Sequence, residues 1–64
     1  METIRFSGAY MYEEEGKKEF SEKGPINIVP SHIVAYYDHV ILTHTNKIRV
    51  METYDEIKAK LEGK

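Results

Sequence analysis

Apolar and polar positions alternate along the first part of the chain. From Ile4 to Tyr12 the even positions carry isoleucine, phenylalanine, glycine and two tyrosines, and the odd positions begin with arginine and serine. A period of two predicts a β-strand with one aromatic-rich face. Gly8 lies within that strand, where it predicts either a bulge that curls the sheet or the close approach of another backbone or a ligand.

The next segment is dominated by charged and turn-forming residues. The sequence EEEGKKEFSEKGP predicts a charged loop or hairpin tip over residues 13–24, with Gly16 as the turn. Two alternatives remain open, a solvated hairpin that returns along residues 17–20 and a mobile excursion. Pro25 predicts that a new element begins after it, a short strand over residues 26–29. This strand ends at Pro30, because proline cannot donate a hydrogen bond to a sheet.

Residues 31–51 are rich in β-branched and aromatic side chains, which predicts further short strands. Asp38-His39 is the best turn in this segment, because aspartate tolerates turn geometry. Asn46 is expected to be the turn residue between strands over 40–45 and 48–51, since asparagine readily adopts positive φ. The pattern therefore predicts short antiparallel strands joined by tight turns.

After Val50 the apolar period changes to that of a helix. Thr53 and Glu56 have the spacing of a capping box, and Tyr54, Ile57 and Leu61 follow at helical spacing. This predicts a helix over residues 53–62 that packs on the sheet. The fold is predicted to be α+β, with residues 1–64 as a single domain in which a small curled antiparallel sheet of about five strands carries one C-terminal helix.

Composition narrows the function. The chain has 64 residues, no cysteine and a formal charge of −2, so its stability margin is thin and no disulfide adds to it. The negative charge disfavours a non-specific nucleic-acid binder. No apolar run is long enough to span a bilayer, and METIRF does not have the pattern of a secretory signal. We expect a cytoplasmic protein that inserts in no membrane and forms a homo-oligomer.

No constellation in the sequence predicts catalysis or metal binding. His32, His39 and His44 are spaced by seven and five, so His39 and His44 would point to opposite faces of one strand. Neighbouring Ser31-His32 and Thr43-His44 are likewise placed on opposite faces. We therefore expect no enzymatic activity, no bound metal and no cofactor.

The tyrosines are the more informative group. Tyr36 and Tyr37 are adjacent and must point to opposite faces of a strand, so at least one of them is expected to be exposed. Exposed aromatics can anchor a protein interface or stack on bases, or can simply border the core with the hydroxyl in water. The charge balance favours a protein partner, with nucleic-acid binding through Arg5, Lys47 and Arg49 as the alternative. The interaction candidates are Tyr10, Tyr12, Tyr36, Tyr37 and Arg49.

The sequence from Ile26 onward resembles the FlbD-like family of small bacterial proteins, called SwrD in its swarming-related members. The resemblance is carried by strand, turn and cap positions: Ile26, Asn27, Ile33, Val40, Ile41, Leu42, Asn46, Lys47, Val50, Glu52, Thr53, Glu56, Ile57 and Leu61. The family usually has glycine after the turn asparagine, where this chain has Lys47. The resemblance implies a non-enzymatic regulatory protein that acts through contacts, with no catalytic residue to carry over.

Two other resemblances suggest different contexts. The chain looks like small orphan proteins of phages and mobile elements. That likeness would give it a role unrelated to flagella. The segment ILTHTNKIRV followed by a helix is distantly similar to the β-rich DNA-binding domain of LytTR regulators, although this chain lacks the basic C-terminal part. That likeness implies a nucleic-acid-binding regulator as the alternative function.

Overall fold

The computed structural model describes residues 2–63. Within them the chain forms five β-strands, one 3-10 helix and one α-helix, which confirms the predicted α+β fold. The elements in chain order are β1 (Ile4–Glu14), β2 (Lys17–Ile28), the 3-10 helix (Pro30–His32), β3 (Ile33–Tyr37), β4 (Val40–Thr43), β5 (Lys47–Arg49) and α1 (Tyr54–Glu62).

The strands are divided between two antiparallel sheets, whereas the sequence suggested one. β1 pairs with β2, and β3, β4 and β5 form a second sheet in that order. The two sheets meet at one point, where Gly8 and Val50 form an isolated bridge and the Met51 amide donates to the Ser7 carbonyl at 2.8 Å. The single curled sheet that was expected is therefore replaced by two sheets whose backbones are joined at a corner.

Residues 13–24 belong to a long hairpin. Glu14 of β1 pairs with Lys17 of β2, and the two residues between them form the turn. Both turn residues have positive φ, 53° for Glu15 and 79° for Gly16, as in the two-residue turns that fit the twist of a hairpin. The charged segment is thus paired backbone, and of the two alternatives the hairpin is the one that the structure contains.

The prediction that Pro25 separates two strands was wrong. β2 runs through Gly24 and Pro25 without interruption, and Pro25 pairs with Ser7. β2 is an edge strand, where a missing backbone donor can face away from the sheet. A single strand of twelve residues therefore replaces the two short ones.

Gly8 has the role predicted for it. The register of β1 against β2 shifts between Gly8 and Ala9, because Lys23 is an extra residue on β2. A Cβ on Gly8 would lie 2.9 Å from the Gly24 carbonyl oxygen and 3.2 Å from Ile26. The glycine therefore permits both the bulge and the close approach of the opposite backbone.

The turn prediction at Asp38-His39 is confirmed, and the one at Asn46 was wrong in detail. His39 has a φ of 61°, as one of the residues of that tight turn. Asn46 does not have positive φ. Instead the Thr43 hydroxyl accepts from the Asn46 amide at 3.0 Å and the Thr43 amide donates to the Asn46 carbonyl at 2.8 Å. This side-chain closure takes residues 44–46 out of the sheet, so β4 and β5 are shorter than predicted.

The core lies where the two sheets and the helix converge. It consists of Phe6, Ile28, Ile41, Val50 and Ile57, each buried. These residues come from β1, β2, β4, the segment after β5 and α1, so both sheets and the helix contribute to the core. The core is small, and its closure depends on pairing between residues far apart in the sequence.

The predicted capping box starts α1. The Thr53 hydroxyl accepts from the Glu56 amide at 3.3 Å, and the Glu56 carboxylate accepts from the Thr53 amide at 2.9 Å. Ile57 is fully buried and Leu61 packs against the core, whereas Tyr54 remains partly exposed. The helix therefore covers the sheets, and its N-terminus is held to the β3–β4 turn by Asp38, whose carboxylate accepts from the Tyr54 amide at 2.9 Å.

Candidate interaction surface

The three-stranded sheet has one face that is turned away from the core. Cross-strand pairing places Tyr37, Val40 and Arg49 in one row of this face. The next row holds Ala35, Leu42 and Lys47. We call these six residues the outer sheet face. The alternate residues point inward, where Ile41 is buried and Tyr36 and Ile48 pack against the core.

The outer sheet face is apolar in its middle and basic along one side. Tyr37 is 59% exposed, and Val40 and Leu42 are half-buried. Together with Lys47 they line a shallow depression of about 250 Å³. The two charged residues of the outer sheet face, Lys47 and Arg49, are both cations, although the whole chain has a net negative charge. An aromatic anchor beside aliphatic side chains and an arginine is the composition that protein interfaces favour.

A second feature, which we call the basic cleft, adjoins this face. It lies where β1 and β5 diverge beyond the Gly8–Val50 bridge, and its volume is about 490 Å³. Residues 9–11 of β1 form one side. Lys47 and Arg49 line the other side, and Lys23 of the bulge lies at its border. The cleft therefore gathers three cations beside a strand edge.

Two of the predicted tyrosines lie on the hairpin, away from the outer sheet face. Tyr10 is 53% exposed and Tyr12 is 41% exposed. The sequence placed both on the same apolar face as Phe6, but burial changes parity after Gly8, since Gly8 and Ala9 are both buried. Phe6 enters the core while the two tyrosines face solvent, and Tyr10 also lines the basic cleft.

Tyr36 is partly buried and packs against the core. Its ring stacks on Tyr54 of α1, with 5.3 Å between the ring centroids. Partial burial raises the pKa of the Tyr36 hydroxyl above its ordinary value of 10.0, and the nearby Tyr54 and Glu62 raise this pKa further. Of the adjacent pair, Tyr37 is thus the exposed residue and Tyr36 joins the helix to the sheet.

The structure therefore brings together only some of the predicted residues. Tyr37 and Arg49 share the outer sheet face, with Val40 between them, and Arg49 and Tyr10 share the basic cleft. Tyr12 lies further along the hairpin, and Tyr36 is on the opposite face. Val40 and Leu42 were missed as surface residues. Their alternation with the buried Ile41 was the signal that could have identified them.

Two of the three histidines lie near each other, and the third lies elsewhere. His32 and His44 approach edge to face, with 6.4 Å between ring centroids, at a depression of about 450 Å³. Within residues 2–63 no group of three His, Asp or Glu side chains is placed to hold a metal ion. His39 lies elsewhere, where its ring stacks on Phe20 at 4.6 Å and its Nδ1 lies 3.2 Å from the Val50 carbonyl oxygen.

The sequence reasoning also missed a buried carboxylate. Glu52 is only 8% exposed, and its two oxygens accept from the Ser7 amide at 3.1 and 3.0 Å. The Lys60 ammonium lies 3.1 Å from Glu52 and donates to the Arg5 carbonyl at 2.7 Å. The same ammonium lies 5.2 Å from the centre of the Phe6 ring. The contacts to Ser7, Arg5 and Phe6 join the C-terminal segment to β1, and the ion pair between Glu52 and Lys60 holds the two side chains together, so we assign the group a structural role.

Comparison of the chain with protein-family models, with curated proteins and with solved structures found no match. Within the described part of the chain, no helix is long and apolar enough to cross a membrane.

Proposed function

We propose that this protein is a small non-enzymatic interaction or regulatory module, which binds a protein partner through the outer sheet face. The observation that carries the proposal is the open row of Tyr37, Val40 and Arg49, continued by Leu42 and Lys47. A soluble domain gains nothing in stability from leaving such a patch open, and exposed apolar patches with a polar border commonly mark interaction sites. The resemblance to FlbD-like proteins supports the same class of function.

The chemistry of the face defines the partner. Tyr37 and the depression beside it suit an apolar side chain, and Lys47 and Arg49 suit carboxylates at the border. The expected partner therefore presents an apolar segment flanked by acidic residues. A flagellar-related or a phage-related origin would both be compatible with such a partner.

Quantitative affinity capture tests this proposal. The tagged protein and its Tyr37→Ala variant are incubated with host lysate after nuclease treatment, and retained proteins are measured by mass spectrometry. We expect a defined set of proteins to be lost with Tyr37→Ala. A tyrosine that becomes buried in an interface commonly contributes about 2 kcal/mol to binding. Urea denaturation of the variant should show an unchanged fold, since Tyr37 is largely exposed.

Val34→Ala provides the matched control. Val34 is 55% exposed on the same strand but forms a bulge outside the outer sheet face. Retention should be equal for Val34→Ala and the wild type. Equal retention by Tyr37→Ala as well would show that this face is not the binding surface.

Nucleic-acid binding is the second candidate, because Lys23, Lys47 and Arg49 gather at the basic cleft beside Tyr10. It predicts an affinity for oligonucleotides that falls steeply with salt and is lost in Arg49→Ala. A measurement of oligonucleotide fluorescence anisotropy at two salt concentrations separates the candidates. No binding at low salt would leave the protein partner as the function.

A further inference from the structure

The hairpin has an open backbone edge that the body of the protein does not use. On β1, the edge facing away from β2 is occupied as far as the corner, where Ser7 bonds to Met51 and Gly8 bridges to Val50. Beyond Ala9 this edge pairs with no strand within residues 2–63. Residues 10–14 therefore present about 17 Å of unpaired strand edge.

The first part of this edge, at Tyr10, Met11 and Tyr12, lacks the features that normally protect a free strand. Soluble proteins keep open edges from pairing by means of lysine, proline, bulges or short strands. Here Tyr10, Met11 and Tyr12 follow one another without a charge or a proline, and acidic residues come only at the tip, over residues 13–15. Such an edge is a template for another strand.

The charges beside this edge identify the second strand. The acidic run Glu13–Glu15 lies at the far end of the edge, and the basic cleft with Lys47 and Arg49 lies at its near end. The basic cleft lies beside the first residues of the open edge. A strand that pairs antiparallel with β1 must therefore carry carboxylates at that end. Another copy of β1 supplies them, because reversing its direction places its acidic tip opposite Ala9–Met11.

We propose that two copies of this chain form a two-fold dimer by antiparallel pairing of their β1 edges, centred on Tyr12. In this register Tyr12 lies beside the partner's Tyr12, and Glu13–Glu15 of each copy lie opposite Met11, Tyr10 and Ala9 of the other. The acidic tip of each hairpin then reaches the basic cleft of its partner. The interface is self-complementary, as two-fold symmetry requires.

The dimer gives a role to two features that have none in the monomer, the tyrosines of the hairpin and the cations of the basic cleft. Tyr10 and Tyr12 become part of an aromatic cluster on one face of a four-stranded sheet. The three cations of the basic cleft acquire carboxylates from outside the chain. The inference does not depend on the proposed function, because it concerns the purified protein alone and leaves Tyr37 and Val40 free for another partner.

Sedimentation equilibrium of the purified full chain is the first test. We expect the 7.5 kDa chain to sediment with twice that mass, and its dissociation to increase with salt. Tyr12→Lys should raise the dissociation constant more than about tenfold, because two like charges would meet at the two-fold axis. A monomer at every concentration up to the millimolar range would overturn the proposal.

A charge-swap experiment tests the register. One variant carries Glu13→Lys and Glu14→Lys, and the other carries Lys47→Glu and Arg49→Glu. Each alone should be monomeric, because acid meets acid or base meets base at both ends of its interface. An equal mixture should recover the dimer, since each contact then joins opposite charges.

The control variant carries Lys17→Glu and Lys18→Glu. Lys17 pairs with Glu14 and Lys18 with Glu13 within the hairpin, so this variant loses the same internal pairs as the first one. It should remain dimeric because its β1 edge is unchanged. Dimers in all three variants, or no recovery in the mixture, would overturn the proposed interface.

Discussion

The body of the protein and its hairpin arm, residues 10–23, are held by different means. The body encloses Phe6, Ile41 and Ile57 among side chains from both sheets, and each of these three is at most 1% exposed. Within the arm no side chain is buried. Two strands alone are marginally stable in water, so the arm depends on its pairing and on Phe20, which stacks on His39 of the body. Stability therefore resides in the body, and the arm is free to serve an interface.

The largest expected difference in stability is between substitutions of the two phenylalanines, Phe6 in the body and Phe20 in the arm. Phe6→Ala removes a fully buried ring from the core and should lower the free energy of unfolding by about 3–5 kcal/mol. Phe20→Ala removes one half-buried stacking contact and should cost about 1 kcal/mol. Urea denaturation of both variants, at a concentration low enough to exclude self-association, measures the difference. Equal costs would mean that the arm is as integral to the fold as the core.

The two regions also differ in what their glutamates do. Glu52→Gln removes the charge that faces Lys60 and weakens the acceptors of the Ser7 amide, and we expect a loss of about 2 kcal/mol. Glu19→Gln, on the exposed face of the arm, should stay within about 0.5 kcal/mol of the wild type. Amide exchange at Ser7 gives a local readout and should accelerate only in Glu52→Gln. If Ser7 exchange is unchanged there, Glu52 does not join the C-terminal segment to β1.

Hydroxyl groups give a third and smaller contrast. Thr53→Ala deletes the side-chain acceptor that caps α1 and should cost about 1 kcal/mol. Ser21→Ala lies on β2 opposite Tyr10, and its cost is expected to be within about 0.5 kcal/mol. The two variants are compared by thermal unfolding followed by circular dichroism. A cost for Thr53→Ala no larger than that for Ser21→Ala would contradict the capping box as a source of stability.

The parts of the fold that the sequence predicted are those determined by neighbouring residues. The Thr53 and Glu56 capping box, the Asp38-His39 turn and the alternation of strands all act over a few positions, so their signals are complete within a short window. Pro25 misled the prediction because its effect depends on whether its strand lies at an edge. That property is decided by the whole sheet.

The candidate surface was only partly predictable for the same reason. Tyr37 and Arg49 could be named as exposed candidates, but their common face is created by pairing of three strands across Val40. The exposure of Tyr10 and Tyr12 follows from their place on the part of β1 that pairs only with β2. In the sequence Glu52 cannot be told from any other charged residue, because its main partner, Ser7, lies 45 positions away.

The smallest expected effect is the response to pH of one tyrosine of the body, Tyr36. Partial burial and the neighbouring Tyr54 raise the pKa of Tyr36 in the folded state, so above pH 10.0 the unfolded chain ionises this residue first. Its contribution to the free energy of unfolding is complete below that pH and is lost as the pH rises through the folded-state pKa. Tyr36→Phe removes the ionisation, so the difference in stability between wild type and variant should fall as the pH rises through 10.0 and above.

Urea denaturation of the wild type and Tyr36→Phe at each pH, under conditions where both are monomeric, measures this difference. A constant difference over the whole range would mean that Tyr36 is as well hydrated in the folded protein as in the unfolded chain. A loss of the difference at high pH would show that the stacked Tyr36 and Tyr54 belong to the body, and that the adjacent Tyr37 is left as the tyrosine available to a partner.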